Sequence, residues 1–479
     1  MGYGVVEETS SITQGGSALK HSIKDRRLRK LISRFRDGFL QQRCEKLFDA
    51  LPTEEVMRAV NEEVNGWRER LFEPLVTLRL FVEQMLHADH ACQDVVVRYA
   101  SERESLGESA ISLSTGPYCK ARQRLPLSLV NRLGKLVGRR LEESSPSVWR
   151  WRERPVKLID GTTVSMPDTE DNQSVYPQPS GQKRGLGQPL GRLVAVISLG
   201  CGTVLDWAMG PCKGKQTGED ALLRQLLGAF NPGDIGLVDR YHCTYFTIAL
   251  LQRAGVDLVT RQHSQRTTDF RRGTRLGKRD HLVHWQRPAR PAWLDKAIYA
   301  EIPAQLLVRE TKMGEWVLVT TLIDPKQVSK QEVNALYVQR WQIEVDLRAI
   351  KIVMGMDVLR CKSADMVQKE VAAFMLAYNL IRAVMGQAAG CAKLLPRQLS
   401  FSGAKRVING LLDMGRTSTR RLTRMFAHVR GAIASLQLPH RPHRVEPRAV
   451  KRRPKPRRLL TEPRNIAREK LRRAHPMLA

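Results

Sequence analysis

The sequence lacks the features that mark secreted, disulfide-bonded or membrane proteins. Its eight cysteines are scattered without a Cys-x-x-Cys pair, so a disulfide framework is not indicated. The first residues contain no apolar run, and we expect no signal peptide. The most apolar long stretch, 372–390, includes Asn379 and Arg382 and is interpreted as a buried helix. We therefore expect a cytoplasmic protein without a membrane span.

Acidic residues are scarce relative to basic ones. The 479 residues include 79 Lys and Arg against 48 Asp and Glu, which gives a net charge of +31. Such an imbalance is self-repelling unless a polyanion neutralises it. Nucleic acid is the favoured partner, because phosphate contacts supply most non-specific affinity. A membrane surface is less favoured, because we find no basic amphipathic helix with an aromatic face.

The pattern of apolar residues divides the chain into parts. Residues 1–150 show helical spacing and predict an all-helical N-terminal domain, whose basic faces either contact DNA or are simply solvated. In 151–262, β-branched runs alternate with helical patterns, and Gly200 and Gly202 mark a hairpin turn, so we expect α/β layers. Residues 263–328 are irregular, basic and strand-rich, and are interpreted as a β-rich insertion.

A second α/β part and a basic region complete the chain. In 329–400, a long helix is predicted to begin at a capping box formed by Ser329 and Glu332 and to run past Lys351. Residues 401–479 form a basic C-terminal region. Its tail, 441–479, holds 14 Lys and Arg against 3 Asp and Glu, and we expect it to order only on a partner.

Two aspartates stand at the ends of predicted strands. Asp160 closes the run VKLI ahead of Gly161, and Asp239 closes the run DIGLV ahead of a helical pattern. Asp-Gly between two strand-like runs is a common hairpin turn, and Asp before a helix is a common N-cap. Taken singly, each of these alternatives explains its residue more readily than a catalytic role does.

Glu344 lies on a polar stripe of the predicted long helix. At about 100° per residue, five polar residues share one face: Tyr337, Arg340, Glu344, Arg348 and Lys351. A neighbouring apolar stripe must face the core: Leu336, Ile343, Leu347, Ile350 and Met354. The polar stripe therefore borders the core, where a cleft would lie. The alternative is a surface helix with weak ion pairs from Glu344 to Arg340 and Arg348.

The polar stripe resembles a family signature. Tyr337-x2-Arg340-x3-Glu344-x6-Lys351 is similar to the YREK signature of DDE transposases of the insertion sequence 4 family, with every spacing intact. The segments IDGTTVSMPD, GLVDRY and YCKARQRLP also resemble that family. The resemblance extends from Phe81 to Arg464 and so covers most of the chain.

The resemblance implies a fold and a catalytic centre. It implies a ribonuclease-H-like core interrupted by the β-rich insertion, with Asp160, Asp239 and Glu344 as the catalytic triad. Three carboxylates suit Mg²⁺ or Mn²⁺. Two such ions can stabilise both the attacking and the leaving oxygen of an in-line displacement. Neither ATP nor a covalent protein–DNA intermediate is needed.

The resemblance also implies DNA contacts. Tyr337, Arg340 and Lys351 would hold the strand at the transposon end, and Trp341 follows the arginine as it often does in relatives. Trp316 stands where some relatives stack a tryptophan on a flipped base; the alternative is a core residue of the strand WVLVTTLI. The expected partners are terminal inverted repeats and target DNA in a bacterial cytoplasm, at the nucleoid, with a homodimer on paired ends.

Two rival functions remain open at this stage. One is a relic transposase that binds DNA without cutting it, and the other is a nuclease of the same fold that never joins ends. Other motifs are weaker. The side chains of HADHAC (87–92) diverge on a helix and do not favour zinc, and the run from Gly210 to Thr217 misses the ATP-binding P-loop by its spacing and by the residue after its lysine. The basic loop 180–192 either contacts DNA or is solvated.

Overall fold

The computed structural model describes residues 53–64, 70–413, 419–439 and 459–474. The first 52 residues of the predicted N-terminal domain, and 441–458 and 475–479 of the basic tail, lie outside the described residues. The described part of 1–150 is helical, as predicted. Its five α-helices precede the first strand: α1 (Thr53–Glu63), α2 (Pro74–Leu86), α3 (Cys92–Ser105), α4 (Gly116–Arg124) and α5 (Leu127–Glu143).

These N-terminal helices share most of their core with the rest of the molecule. The apolar face of α5, including Leu129, Leu133 and Val137, is buried in a cluster that continues into the sheet and the C-terminal helices. A smaller cluster among α2, α3 and α4 includes Phe72 and Tyr118. The predicted boundary at residue 150 therefore does not separate two hydrophobic cores.

One nine-stranded mixed sheet runs through the described residues in the order β3-β2-β1-β4-β5-β9-β8-β7-β6. Its strands are β1 (Val156–Ser165), β2 (Leu190–Ser198), β3 (Val204–Pro211), β4 (Ile235–Val238), β5 (Asp257–Arg261), β6 (Thr274–Gly277), β7 (Asp280–Gln286), β8 (Gln305–Met313) and β9 (Trp316–Thr320). β1, β4 and β5 are parallel to one another, and the remaining pairs are antiparallel. The chain is a mixed α/β protein.

The β2–β3 hairpin forms where the glycines predict it. Gly202 adopts φ +73°, a left-handed conformation that glycine reaches without steric cost. β1 pairs with β2 over nearly its whole length, from Lys157 opposite Ser198 to Ser165 opposite Leu190. β1 is thus held on both sides, by β2 and by the shorter β4.

The strand-rich segment 263–328 extends this same sheet. β9 pairs with β5 through Val259 opposite Thr320, and β8, β7 and β6 follow in antiparallel order. Trp285, Leu306 and Val308 from this segment join the core cluster that covers one face of β4 and β5. Residues 263–328 therefore continue the sheet of the preceding part and share its core.

The short helices between the strands are α6 (Glu170–Val175), α7 (Glu219–Gln225), α8 (Tyr245–Arg253) and α9 (Lys296–Glu301). The predicted capping box is present: Ser329 Oγ accepts from the Glu332 amide, and the Glu332 carboxylate accepts from the Ser329 amide. From there α10 (Lys330–Val338), a 3₁₀ turn (Gln339–Trp341), α11 (Gln342–Arg348) and a π-helical turn (Ala349–Val353) follow one another. The predicted long helix is therefore continuous, but it departs from α-helical winding in two turns, one 3₁₀ and one π-helical.

α12 (Ala364–Ala392) is the central helix of the core. It is long and apolar enough to cross a membrane, but 94% of its most apolar window is buried inside the protein. The prediction of a buried helix here is confirmed. Helices α13 (Phe401–Asp413) and α14 (Thr419–Ser435) pack beside it.

One part of the basic tail has structure of its own. Residues 464–474 form α15 (Arg464–Ala474), with ion pairs from Lys470 to Glu462 and from Arg473 to Glu469. Pro463, just before this helix, lies against Gly185 of the basic loop. The expectation that the tail orders only on a partner is wrong for this segment, because local ion pairs and this contact support a helix.

Candidate active site

Asp160 lies in the middle of β1 and does not end it. β1 continues through Gly161 to Ser165 because β2 offers pairing partners along the whole run, so the hairpin-turn alternative for Asp160-Gly161 is wrong. The predicted end of the strand at Asp160 is wrong for the same reason. The shorter neighbour β4 does end beside this point. Asp160 Oδ1 accepts a hydrogen bond from the Gly161 amide at 2.8 Å.

Asp239 follows the last residue of β4 and lies next to Asp160. Leu158 pairs with Leu237 in the parallel ladder, and two further steps of that register bring Asp160 opposite Asp239. Adjacent strands are about 4.8 Å apart. Asp239 Oδ1 also accepts a hydrogen bond from the Tyr241 amide at 2.7 Å and so caps the following 3₁₀ turn. The prediction that Asp239 is an N-cap is therefore confirmed. One such bond leaves the second carboxylate oxygen for another role.

Glu344 is placed at the same edge by the helix α11. All five residues of the predicted apolar stripe are buried: Leu336, Ile343, Leu347, Ile350 and Met354. This face fixes the helix on the core, and Glu344 is left half-exposed at its border. The 3₁₀ and π-helical turns on either side change the rotation per residue, so the polar stripe is less regular than uniform winding predicts.

Arg340 joins two of the three predicted catalytic carboxylates. Its Nη1 lies 3.4 Å from Asp160 Oδ2, and its Nη2 lies 3.1 Å from Glu344 Oε1. The Arg340–Glu344 pair expected for a surface helix is therefore present, but the same guanidinium also reaches β1. Lys351, from the π-helical turn, donates to Thr162 Oγ1 of β1 at 3.1 Å. Two of the three basic residues of the stripe, Arg340 and Lys351, thus contact the strand that carries Asp160, whereas Arg348 is exposed.

A buried ionic network anchors the helix that carries Glu344. Asp346 is fully buried, and its carboxylate accepts from Arg382 at 2.5 Å and from Arg397 at 2.6 and 2.7 Å. Arg397 also donates to the carbonyls of Ser198 and Leu199 at the β2–β3 turn. The Tyr378 hydroxyl contacts Asp346 at 3.2 Å and donates to the Gly202 carbonyl. Glu344 is thereby tied to the same sheet as Asp160.

Aromatic residues extend the site towards β9. Trp316 is 42% exposed and packs edge-to-face on Tyr337 with ring centroids 6.3 Å apart. The alternative in which Trp316 is a core residue is therefore wrong. Tyr337 is almost fully covered, and burial, together with the charge of Asp239, raises its pKa. Trp341 is 45% exposed on the 3₁₀ turn.

Burial and neighbouring acids shape the electrostatics of Asp160. Burial raises the pKa of its carboxyl group to about 6, and the charges of Asp239 and Glu219 act in the same direction. The Gly161 amide and Arg340 oppose this rise. Carboxylate oxygens are the ligands that Mg²⁺ and Mn²⁺ prefer, so the donors fit a divalent cation chemically. Within the described residues, however, no three His, Cys, Asp or Glu side chains are close enough together to hold a metal ion.

Three features near these carboxylates were not predicted from the sequence. Arg261 ends β5, next to the strand that Asp239 follows, and its guanidinium lies 5.1 Å from the centre of the Trp316 ring. The strand-end argument used for Asp239 could have found it. Glu219, the first residue of α7, lies against Gly161. The sequence contains no signal for this contact, because Asp160-Gly161 has the pattern of a turn; a glycine inside a strand becomes informative only once β1 is seen to continue.

The third feature is a buried histidine with an acidic partner. His242 Nδ1 lies 2.5 Å from Asp220 Oδ1, and the ring is 1% exposed. Burial lowers the pKa of His242, but the hydrogen bond with Asp220 and the charges of Asp220, Asp239 and Glu219 outweigh it, so the pKa is raised. The sequence placed His242 at the start of a helical pattern and gave no sign of this pairing.

Comparison with known proteins identifies the kind of protein to which this chain is similar. A family model described as "Transposase DDE domain" matches residues 151–380. The transposase InsG for insertion sequence element IS4 of Escherichia coli (strain K12) is 28% identical over 347 residues, which is 70% of this chain and 76% of that protein. The cryo-EM structure of the piggyBac transposase synaptic complex with hairpin DNA covers 81% of this chain and 87% of its own, at 10% identity and a TM-score of 0.43.

The matched domain spans β1 to α12 and so includes every residue of the YREK-like stripe. It defines a DNA transposase of the DDE class, whose members cleave DNA and transfer strands with the help of divalent metal ions. Within that class, the chain belongs to the insertion sequence 4 family.

Proposed function

We propose that this transposase cleaves and joins DNA with Asp160, Asp239 and Glu344 as its catalytic carboxylates. The observation that carries the proposal is the double contact of Arg340, which joins Asp160 on β1 to Glu344 on α11. These residues are 184 positions apart in the chain (344 − 160) and have no reason to share a guanidinium unless the fold brings them together. Asp239 lies beside Asp160 through the β1–β4 register.

The order and direction of the first five strands support a ribonuclease-H-like core. β3, β2 and β1 form an antiparallel meander, and β4 and β5 then add parallel to β1. In such a core the carboxylates sit on the first strand, after the fourth strand and on a later helix. The positions of Asp160 on β1, Asp239 after β4 and Glu344 on α11 support this proposal. Strands β6 to β9 would be the insertion within it.

The three carboxylates would hold Mg²⁺ or Mn²⁺, most simply as two ions. When bound, the cations stabilise charge on the attacking and leaving oxygens of a phosphodiester. The half-buried setting of Asp160 keeps water away from one side of the site and strengthens electrostatic interactions there.

The basic and aromatic residues of the site would position the DNA strand. Arg340 offers two parallel donors that match a phosphate, and Lys351 offers a single positive charge. Trp316, exposed at the start of β9, presents a ring face on which an unpaired base can stack, with Trp341 close along the chain on an exposed turn. Because Tyr337 is covered by Trp316, its main role would be to support that ring.

The reaction needs two displacements at phosphorus. Water first attacks the phosphodiester at the transposon end and releases a 3′-OH, and that hydroxyl then attacks a phosphodiester of the target. Both steps use the same carboxylates, and neither requires ATP. The N-terminal helices and the basic tail would bind terminal inverted repeats and flanking DNA in a bacterial cytoplasm, at the nucleoid, with a second copy of the chain on the paired end.

Single substitutions test the proposed triad. Asp160→Ala, Asp239→Ala and Glu344→Ala should each abolish cleavage of a labelled end fragment in Mg²⁺ or Mn²⁺, while binding of the fragment in EDTA stays close to wild type. The expected separation follows because cation ligation and phosphate contacts are different interactions. Glu104→Ala, which removes an exposed carboxylate on α3, is the control and should retain cleavage.

A variant that still cuts at a near wild-type rate would remove its residue from the proposed triad. A strand-transfer assay with a pre-cut 3′-OH end separates transposition from simple nuclease action. Wild-type protein should give joined product, whereas hydrolysis without joining would favour a nuclease.

A further inference from the structure

Gly161, directly after Asp160, leaves room that a second acidic side chain fills. A Cβ atom at Gly161 would lie 2.6 Å from Oε1 and 2.8 Å from Cγ of Glu219. Gly161 lies inside β1 and is paired to β2, so its backbone conformation does not call for glycine. Glycine is required here because the Glu219 carboxyl group approaches the backbone so closely. This contact brings Glu219 beside the residue that follows Asp160.

The carboxylate of Glu219 forms no ion pair with a Lys or Arg side chain among the described residues. It is half-buried, and it makes no hydrogen bond or ion pair within the described part of the chain. Among the basic residues around it, Arg340 contacts Asp160 and Glu344, Lys351 donates to Thr162, and Arg192 donates to the Thr217 carbonyl. Asp160 therefore has two acidic neighbours whose charges act on it, Asp239 and Glu219, in a protein that carries 79 Lys and Arg. Like charges in so small a space are costly without a cation between them.

A second observation concerns His242, on whose ring the charges of Glu219 and Asp239 both act. The His242 ring is buried and held at Nδ1 by Asp220, the residue after Glu219, yet its Nε2 has no hydrogen-bond partner among the described residues. A buried polar atom without a partner is uncommon and calls for an explanation such as an ion or a water molecule. Asp239 and Glu219 are the other charged groups that act on this ring.

We propose that Glu219 is a fourth carboxylate of the catalytic centre and supplies an oxygen ligand to the divalent cation beside Asp160 and Asp239. The inference rests on the proposed function, because it assigns a further residue to the same site. Gly161 then has a specific purpose, which is to admit this ligand. Asp220 and His242 hold the start of α7 against the segment that follows Asp239.

Mn²⁺ binding to the full-length protein, followed by electron paramagnetic resonance without DNA, tests the proposal independently of activity. Glu219→Gln keeps the shape of the side chain but removes its charge, and it should weaken Mn²⁺ binding by about tenfold or more. Glu170→Gln is a matched control, because Glu170 is exposed, begins the short helix α6 and is likewise followed by an aspartate. It should bind Mn²⁺ like the wild type.

Gly161→Ala provides a second variant that leaves the carboxylate in the chain. The new Cβ occupies the space of the Glu219 carboxyl group, so Mn²⁺ binding should again weaken. In a Glu219→Ala background that space is open, and Gly161→Ala should then have no further effect on Mn²⁺ binding. Thermal melting of each variant verifies that it is folded.

Asp160→Asn distinguishes a failure of the Glu219 inference from a failure of the proposed carboxylate site. If it weakens Mn²⁺ binding while Glu219→Gln binds like the wild type, Glu219 is not a ligand, and the proposed function stands. If neither substitution changes Mn²⁺ binding, the carboxylate site itself is wrong. An equal effect of Gly161→Ala with and without Glu219 would also overturn the inference, because the glycine would then matter for another reason.

Discussion

At the scale of the residue, Arg340 links two of the proposed catalytic carboxylates. Its guanidinium reaches two carboxylates from distant parts of the chain with different nitrogens, which a lysine ammonium cannot reproduce from one position. The same planar group is suited to a phosphate. In the proposed site, Arg340 would therefore both organise the acids and contact the DNA.

Arg340→Lys should keep the positive charge but lose the planar guanidinium, whose two nitrogens reach two carboxylates. Hydrogen bonds to charged groups contribute about 1.5–3 kcal/mol, so cleavage of an end fragment should slow by roughly 10- to 100-fold. Single-turnover cleavage assays measure this loss. Arg348→Lys is the control, because Arg348 is exposed on the same helix; an equal loss in both variants would show that any arginine on this helix is needed.

At the scale of the element, two acids on α11 have opposite settings. Glu344 has a third of its side chain exposed, whereas Asp346 is completely buried between Arg382 and Arg397. Removing one partner from a buried ionic network leaves the others uncompensated. The two positions should therefore separate activity from stability.

Asp346→Ala should lower the free energy of unfolding by about 3–5 kcal/mol, measured by urea denaturation. Glu344→Ala should change it by less than about 0.5 kcal/mol, because the side chain is partly solvated, while abolishing cleavage. Equal stability of the two variants would mean that the Asp346 network does not anchor the helix.

Local patterns predicted much of this arrangement. β-branched runs followed by Asp predicted β1 and β4, the Ser329–Glu332 box predicted the start of α10 to the residue, and the apolar stripe from Leu336 predicted the buried face. Each of these signals lies within a few residues of what it predicts. The class of enzyme followed from the fixed spacing of the polar stripe.

Features that depend on distant partners could not be predicted in this way. Asp160-Gly161 carries a strong turn signal, and only pairing with β2 keeps it extended. Asp346 is buried because Arg382 and Arg397, 36 and 51 positions later, reach it. The pairing of β9 with β5, which joins the insertion to the sheet, is equally long-range.

At the scale of the whole molecule, positive charge is concentrated near the C-terminus. The residues after Pro439 include 14 Lys and Arg and 3 Asp and Glu, so they contribute +11 of the net +31. Deleting them should flatten the salt dependence of DNA binding by about 0.9 log units for each phosphate group that the shortened protein no longer neutralises. Binding titrations across salt concentrations measure the slope. An unchanged slope would mean that the tail does not touch DNA.

The continuous sheet fixes the spacing between the proposed base-stacking residue and the proposed catalytic strand. Trp316 begins β9, which is hydrogen-bonded through β5 and β4 to β1 and Asp160. Three strand spacings of about 4.8 Å give about 14 Å across the sheet, close to four stacked nucleotides at about 3.4 Å each. Because backbone hydrogen bonds fix this interval, a base seated on Trp316 would set the number of nucleotides to the broken bond. The width of the sheet between β9 and β1 would then determine the distance from the stacked base to the cleaved bond.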